Sequence, residues 1–204
     1  VALLSSLYPD VLPYVPGCPD PMLDQEIRRA AIEFFRRSRA WMAWLDPIVV
    51  SSAIQEYALI LPANAQVFRI EAASLNGREY PVAGLRALKA DPSYDNAEQA
   101  AAVSLDRLSV VLTQALSDGD RLQIRAALTL SKTAPSLDDA LFDQYSDAIV
   151  EGAKYRLMRE PGVLHKPQEA QEARGNFEAA IAAASHSAWR GNTNATPRAR
   201  VSWC

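Results

Sequence analysis

Apolar positions change their period along this chain, and each change marks a boundary. Residues 1–20 carry Pro9, Pro13, Pro16 and Pro19, with Tyr8, Tyr14 and Gly17 between them. Proline fixes φ and removes a backbone donor, so this stretch reads as an extended arm. The spacing then turns helical. Leu23, Ile27, Ala30 or Ala31, Phe34 and Trp41 recur every three or four residues, which predicts a core-facing helix over 21–41. Asp20-Pro21 supplies its start, an acid at the N-cap and proline in the first turn.

The period shortens after residue 46. The stretch 48–59 is rich in β-branched residues, and 66–73 runs through Val67, Phe68 and Ile70. Asn76-Gly77 between Leu75 and Arg78 is a strong hairpin signal, because both central residues of a type I′ turn need positive φ. Residues 105–112 and 121–130 read as two further strands, parted by the turn cluster Ser117-Asp118-Gly119-Asp120. The polar run 91–99 reads as a loop, and 97–103 is left open between strand and helical turn.

Helical spacing returns at residue 136. Residues 136–139 spell S-x-x-D, a capping-box-like start. Leu137, Leu141, Tyr145, Ala148, Ile149, Gly152 and Tyr155 or Arg156 follow on one face to about Glu160. Pro161-Gly162 ends that helix and Pro167 opens another to about Arg190. Ala170, Ala173, Phe177, Ala180, Ile181, Ala184 and Ala188 make its stripe, whose small side chains allow close packing. Gly191 stops it, and 192–204 has no periodicity and reads as a flexible tail.

One amphipathic helix before the strands and two after them need a common apolar core. The expected class is therefore α+β, a bundle of about three long helices with an inserted small antiparallel lobe of five or six strands. Its parts are an extended arm at 1–20, bundle segments at 21–45 and 135–191, the lobe at 46–134 and the tail at 192–204.

Composition narrows the function. The chain has 204 residues, is 49% hydrophobic and carries a formal charge of -3. That apolar content supplies a core and excludes global disorder. The charge argues against a general nucleic-acid binder, which needs a basic excess. No apolar run approaches the ~20 residues that cross a bilayer, and 1–7 has neither the basic n-region nor the apolar segment of a signal peptide. The two cysteines, Cys18 and Cys204, are read as reduced thiols. With two histidines beside them, a structural zinc site of the usual kind is not expected.

Familiar chemistry is hard to find. No serine sits in G-x-S-x-G, and neither G-x-x-x-x-G-K nor G-x-G-x-x-G occurs. His165 and His186 read as surface or interface residues. Asp138, Asp139, Asp143 and Asp147 lie in the first turns of a helix, where acids complement the dipole, so no metal is assigned. No catalytic residue and no cofactor is expected. Arg28, Arg29, Arg36, Arg37 and Arg39 crowd the first helix. They read as a solvated face, or as a surface for the acids of a neighbouring subunit or for passing DNA. Arg198, Arg200 and Trp203 in the tail are residue types that anchor interfaces.

Three segments carry a family resemblance. Tyr14-Val15-Pro16-Gly17-Cys18-Pro19 leads into residues 23–41, with Leu23-Asp24-Gln25-Glu26-Ile27-Arg28-Arg29-Ala30-Ala31 and Phe34-Phe35-Arg36-Arg37-Ser38-Arg39-Ala40-Trp41. Later come Leu137-Asp138-Asp139-Ala140-Leu141-Phe142, Tyr145, Ile149 and Gly152-Ala153-Lys154-Tyr155-Arg156-Leu157-Met158, then the surroundings of Phe177. Across 8–190 this pattern of apolar and turn positions resembles head–tail adaptor proteins of tailed bacteriophages, also called head-completion or neck connector proteins. The larger, β-containing type found in short-tailed phages is the nearer likeness.

The resemblance implies a structural virion protein of the head–tail neck, made in the host cytoplasm. It implies a homo-oligomeric ring, usually of twelve copies, docked beneath the portal protein. Such a ring extends the DNA channel and gives a tail or nozzle protein its docking face. Double-stranded DNA would pass without sequence-specific binding, and no membrane is involved. The C-terminal segment, with Arg198, Arg200, Val201 and Trp203, would reach the portal. A closing ring needs two complementary surfaces on each subunit. The arginine-dense first helix is one candidate. The start of the second helix, with Asp138, Asp139 and Asp143, is the other, since 135–191 holds nine acids against six bases. Both 1–20 and 192–204 are expected to order only on docking. Another neck or tail-tube structural protein, or a virion-associated cell-wall hydrolase, are the alternatives.

Overall fold

The computed structural model describes residues 1–83, 102–104, 106–113, 116–161 and 164–190. The chain divides into two compact units, one of Val1–Ala40 with Ser136–Cys204 and one of Trp41–Pro135.

The first unit opens with strand β1 (Ala2–Leu3), a 3-10 turn (Leu4–Leu7) and the short helix α1 (Tyr8–Val11). Three long helices follow, α2 (Asp20–Ser38), α3 (Asp139–Arg159) and α4 (Pro167–Trp189). Strand β10 (Ser136–Leu137) pairs antiparallel with β1 just before α3. Pro19 stands at the N-cap of α2, and Asp20 occupies its first turn, where a carboxylate meets the positive end of the dipole. The helix ends three residues before Trp41. Arg39 takes a left-handed conformation (φ 53°), and its N–H donates to the Phe35 carbonyl at 3.0 Å, a C-cap geometry.

The core of this unit is aromatic. Phe34, Phe35, Tyr145 and Phe177 are buried together, with Phe34 centroids 5.0 Å from Tyr145, 5.4 Å from Phe35 and 6.3 Å from Phe177. Gly152 lets the helices close around that cluster. A Cβ built on it would lie 2.7 Å from the Phe177 ring and 3.0 Å from the Ala30 methyl. Leu23, Ile27, Ala30, Ala31, Ile149 and Leu157 complete the buried stripes of α2 and α3.

The second unit holds two antiparallel sheets. The larger runs β2-β9-β5-β6, with β3 pairing a second stretch of β9. Its strands are β2 (Met42–Trp44), β3 (Ile48–Val49), β5 (Ala65–Leu75), β6 (Arg78–Tyr80) and β9 (Arg121–Leu130). The smaller runs β4-β8-β7, from Glu56–Ala58, Ser109–Leu112 and Ala102–Val103. Along β9, Leu122 and Ile124 are buried at period two, and from Ala126 to Leu130 every residue is buried. Asn76 and Gly77 both take positive φ, 50° and 80°, and close the β5–β6 hairpin. The Asn76 amide donates to Asp120 at 2.7 Å and its oxygen accepts from the Arg121 N–H at 2.9 Å. Two register shifts along β5, between Val67 and Arg69 and between Ile70 and Ala72, mark bulges that bend and twist a strand.

These facts overturn the expected fold class. Among the described residues 43% are helical and 26% strand, in four helices and three antiparallel sheets. That is a mixed fold rather than a three-helix bundle bearing a small lobe. The extended arm is also corrected. Leu4, Leu7 and Val11 recur at helical spacing and are buried, as are Val15 and Cys18. Pro9 falls within the first turn of α1, where a missing N–H costs nothing. Residues 1–20 are thus folded within the free chain, contrary to ordering only on docking. The S-x-x-D start is shifted too, since Ser136 and Leu137 pair as strand and Asp138 is the N-cap. The expected loop at 91–99, most of the ambiguous stretch 97–103, and the tail at 192–204 lie outside the described residues.

Packing at Gly152 yields a test by contrast with Gly175, an exposed position on α4 where a Cβ would have nothing within 4 Å. Alanine favours a helix by about 1 kcal/mol over glycine, so Gly175→Ala should raise the melting temperature. Gly152→Ala should lower stability by about 1–3 kcal/mol through overpacking. Thermal melts followed by circular dichroism check both; equal gains at the two positions would contradict this packing.

Candidate functional site

The expected interaction residues fall on α2 and on the first turns of α3. On α2, Arg28 reaches Asp24 at 3.0 Å, four residues back, and Arg29 reaches Glu26 at 2.6 Å. Arg37 bridges two helices. Its guanidinium bonds Glu33 at 3.1 Å on its own helix and Glu178 of α4 through two nitrogens, one of them at 2.8 Å. Glu33 also accepts from Arg156 of α3, which lies 3.6 Å from Glu26. The arginine row is therefore threaded into a network of carboxylates across all three long helices. Arg36 is exposed in the last turn of α2, and Arg39 is the left-handed cap residue.

That network shifts the ionisation of its members. Hydrogen bonding to Arg37 is the main cause holding the Glu178 carboxyl below its ordinary range, and the same bond raises Arg37. Asp24 also accepts from the Tyr8 hydroxyl at 3.0 Å, tying the N-terminal segment to α2. Burial first, and that bond second, push the Tyr8 hydroxyl up to about 12.

The acidic candidates have different surroundings. Asp138 caps α3, accepting from the Ala140 N–H at 3.0 Å. Asp139 lies in the first turn, 2.5 Å from the Val1 amino group, and Asp143 is exposed one turn on. The acids that hold Arg28, Arg29 and Arg37 are thus Asp24, Glu26, Glu33 and Glu178 of the same chain. Glu33 lies four residues before Arg37, so that pair was readable as an i,i+4 contact. Glu178 is 141 residues away from Arg37, and no local signal marks it. The portal-directed residues Arg198, Arg200, Val201 and Trp203 lie outside the described residues.

Both histidines, His165 and His186, are exposed. Among the described residues no three His, Cys, Asp or Glu side chains gather as a metal-holding group, and no helix is long and apolar enough to cross a membrane. Burial raises the Cys18 thiol and the Tyr145 hydroxyl.

No protein-family model matches the chain, and no curated protein matches it either.

The Arg37–Glu178 pair sets a pH expectation. Its carboxyl titrates below the ordinary value of 4.5, so the pair's stabilisation is complete above that pH and is lost as pH falls through the depressed value. Both side chains are 42% exposed, which limits the pair to about 0.2–1 kcal/mol. Arg37→Gln should return the Glu178 titration, read by carboxyl-carbon NMR, toward 4.5; an unmoved titration would show that the pair does not form in solution.

Proposed function

We propose that the chain is a structural virion protein, a portal-to-tail adaptor. It forms a ring below the portal, extends the DNA channel and docks tail components. It turns over no substrate. The observation that carries this reading is where the residues of the resemblance lie. Phe34 and Phe35, Tyr145 with Gly152, and Phe177 come from its three separate segments and pack in one core of one unit.

Two surfaces support ring formation. The exposed end of α2 carries Arg36 and Arg37, the latter already met by Glu33 and Glu178, and the exposed start of α3 carries Asp139, met by the Val1 amino group, and Asp143. A head-to-tail ring requires such unlike faces on every subunit, and repetition around the ring multiplies weak contacts. The segment 192–204 supplies the portal contact through Arg198, Arg200, Val201 and Trp203. DNA passes a subunit of net charge -3, which limits phosphate attraction.

Co-sedimentation tests the assignment. Full-length protein should sediment with purified portal particles, and a chain lacking 192–204 should lose at least about tenfold in affinity, roughly 1.4 kcal/mol. Equal binding by the two chains would remove the proposed role of the segment. Peptidoglycan cleavage by the purified protein would replace the structural reading with the hydrolase one.

A further inference from the structure

Two strands of the second unit turn a row of backbone groups away from their sheets. β2 is an edge of the larger sheet and β4 an edge of the smaller one. In an antiparallel pair, residues alternate between bonding their neighbour and facing away from it. The Leu45 N–H donates to the Ile124 carbonyl at 2.8 Å, and the Leu128 N–H to the Trp41 carbonyl at 2.7 Å. The residues between them in phase, Met42 and Trp44, therefore point their N–H and C=O groups away from β9. On β4, the Leu59 N–H donates to the Leu108 carbonyl and the Leu112 N–H to the Gln55 carbonyl, both at 2.8 Å. Glu56, Ala58 and Ile60 thus face outward, and all three are exposed. Among the described residues no strand covers either edge.

An open edge is a template for pairing with another chain, and proteins often blunt it with lysine or proline. Neither β2 nor β4 carries either residue. Both edges present apolar surface instead, with Trp44 49% exposed and Ile60 60% exposed.

The charges beside the two edges are complementary. Arg125 stands opposite Trp44 in the β2–β9 register, so the two share a face, and Arg121 lies four residues away on that same face. Beside β4, the Ser109 hydroxyl donates to Glu56 at 2.7 Å and contacts Asp106 at 3.2 Å. Among the described residues, neither arginine has an acid and neither acid has a cation. The matched arginines of α2 make the contrast: here each edge keeps one sign of charge unmet.

We propose that β4 of one copy adds to β2 of the next, joining the sheets of neighbouring subunits edge to edge. The outward backbone groups of Glu56, Ala58 and Ile60 bond those of Met42 and Trp44 in the second copy, a strand-addition contact. Trp44 and Ile60 are buried by it, and Glu56 and Asp106 face Arg125 and Arg121 across it. Because the two edges differ, the contact is head-to-tail, as a ring requires. The inference rests on the ring reading and adds a strand contact to the one between helix ends.

The test links two variants of the full chain, each with Cys204→Ser and without portal present. One carries Met42→Cys and the other Ile60→Cys; the native Cys18 is buried. Treated together with a short bis-maleimide, they should give a mixed dimer at least about tenfold above the homodimer of either alone, because pairing raises the local concentration. Adding Ala58→Pro to the second chain should abolish the link, since it removes an outward N–H that an edge strand does not need for its own sheet. Its unchanged melting temperature separates this from misfolding. Arg125→Glu in the first chain should weaken the link, and Glu56→Arg in the second should restore it. A mixed dimer no more abundant than the homodimers would overturn the proposal, as would a link that survives Ala58→Pro. Homodimers of the Ile60→Cys chain alone would overturn it by assigning β4 to a twofold self-pairing. A ring that forms without the link would overturn the strand contact and leave the adaptor reading standing.

Discussion

The helical unit depends on the absence of one methyl group. At Gly152 the Phe177 ring comes so close that a Cβ would stand 2.7 Å from it. Glycine is unfavourable in a helix by about 1 kcal/mol, so its use in the middle of α3 has to be offset by packing. The offset is the joint burial of Phe34, Phe35, Tyr145 and Phe177. Edge-to-face ring contacts, such as Phe34 on Phe35 at 84° and Phe35 on Tyr145 at 85°, add to what area alone supplies. The close approach also brings Arg37 of α2 within bonding distance of Glu178 of α4.

That sequence of consequences changes how the arginine row is understood. In the linear sequence five arginines on one helix look like a free basic face. Folded, Arg28, Arg29 and Arg37 each meet an acid of the same chain. Half-exposed pairs of this kind contribute little singly, but the shared carboxylates of Glu26 and Glu33 join α2 to Arg156 of α3. A partner that engages this face meets a network whose charges are partly compensated, so orientation of the pairs matters as much as their sign.

The long helices were legible because their apolar spacing is regular over many turns, and α3 ends just before Pro161 while α4 opens at Pro167. Asn76-Gly77 was legible because its positive φ requirement is local. The N-terminal segment misled because four prolines outweighed Leu4, Leu7 and Val11, whose burial is decided by tertiary contacts. The division of strands between two sheets was hidden for the same reason. β4 and β8 pair with Tyr57 opposite Val110, 53 residues on, and nothing in either strand names its partner. Bulges beside Phe68 and Glu71 broke the alternation that would have given register. Of the candidate interaction residues, the helix placement was readable, whereas Glu178 belongs to the fold alone.

The central claim is that this chain works by assembly. Imaging the purified protein mixed with portal particles by cryo-electron microscopy tests it most directly. The account predicts a closed ring beneath the portal, with subunits meeting through the end of α2 and the start of α3. A portal that stays bare, with the protein remaining a monomer, would contradict it.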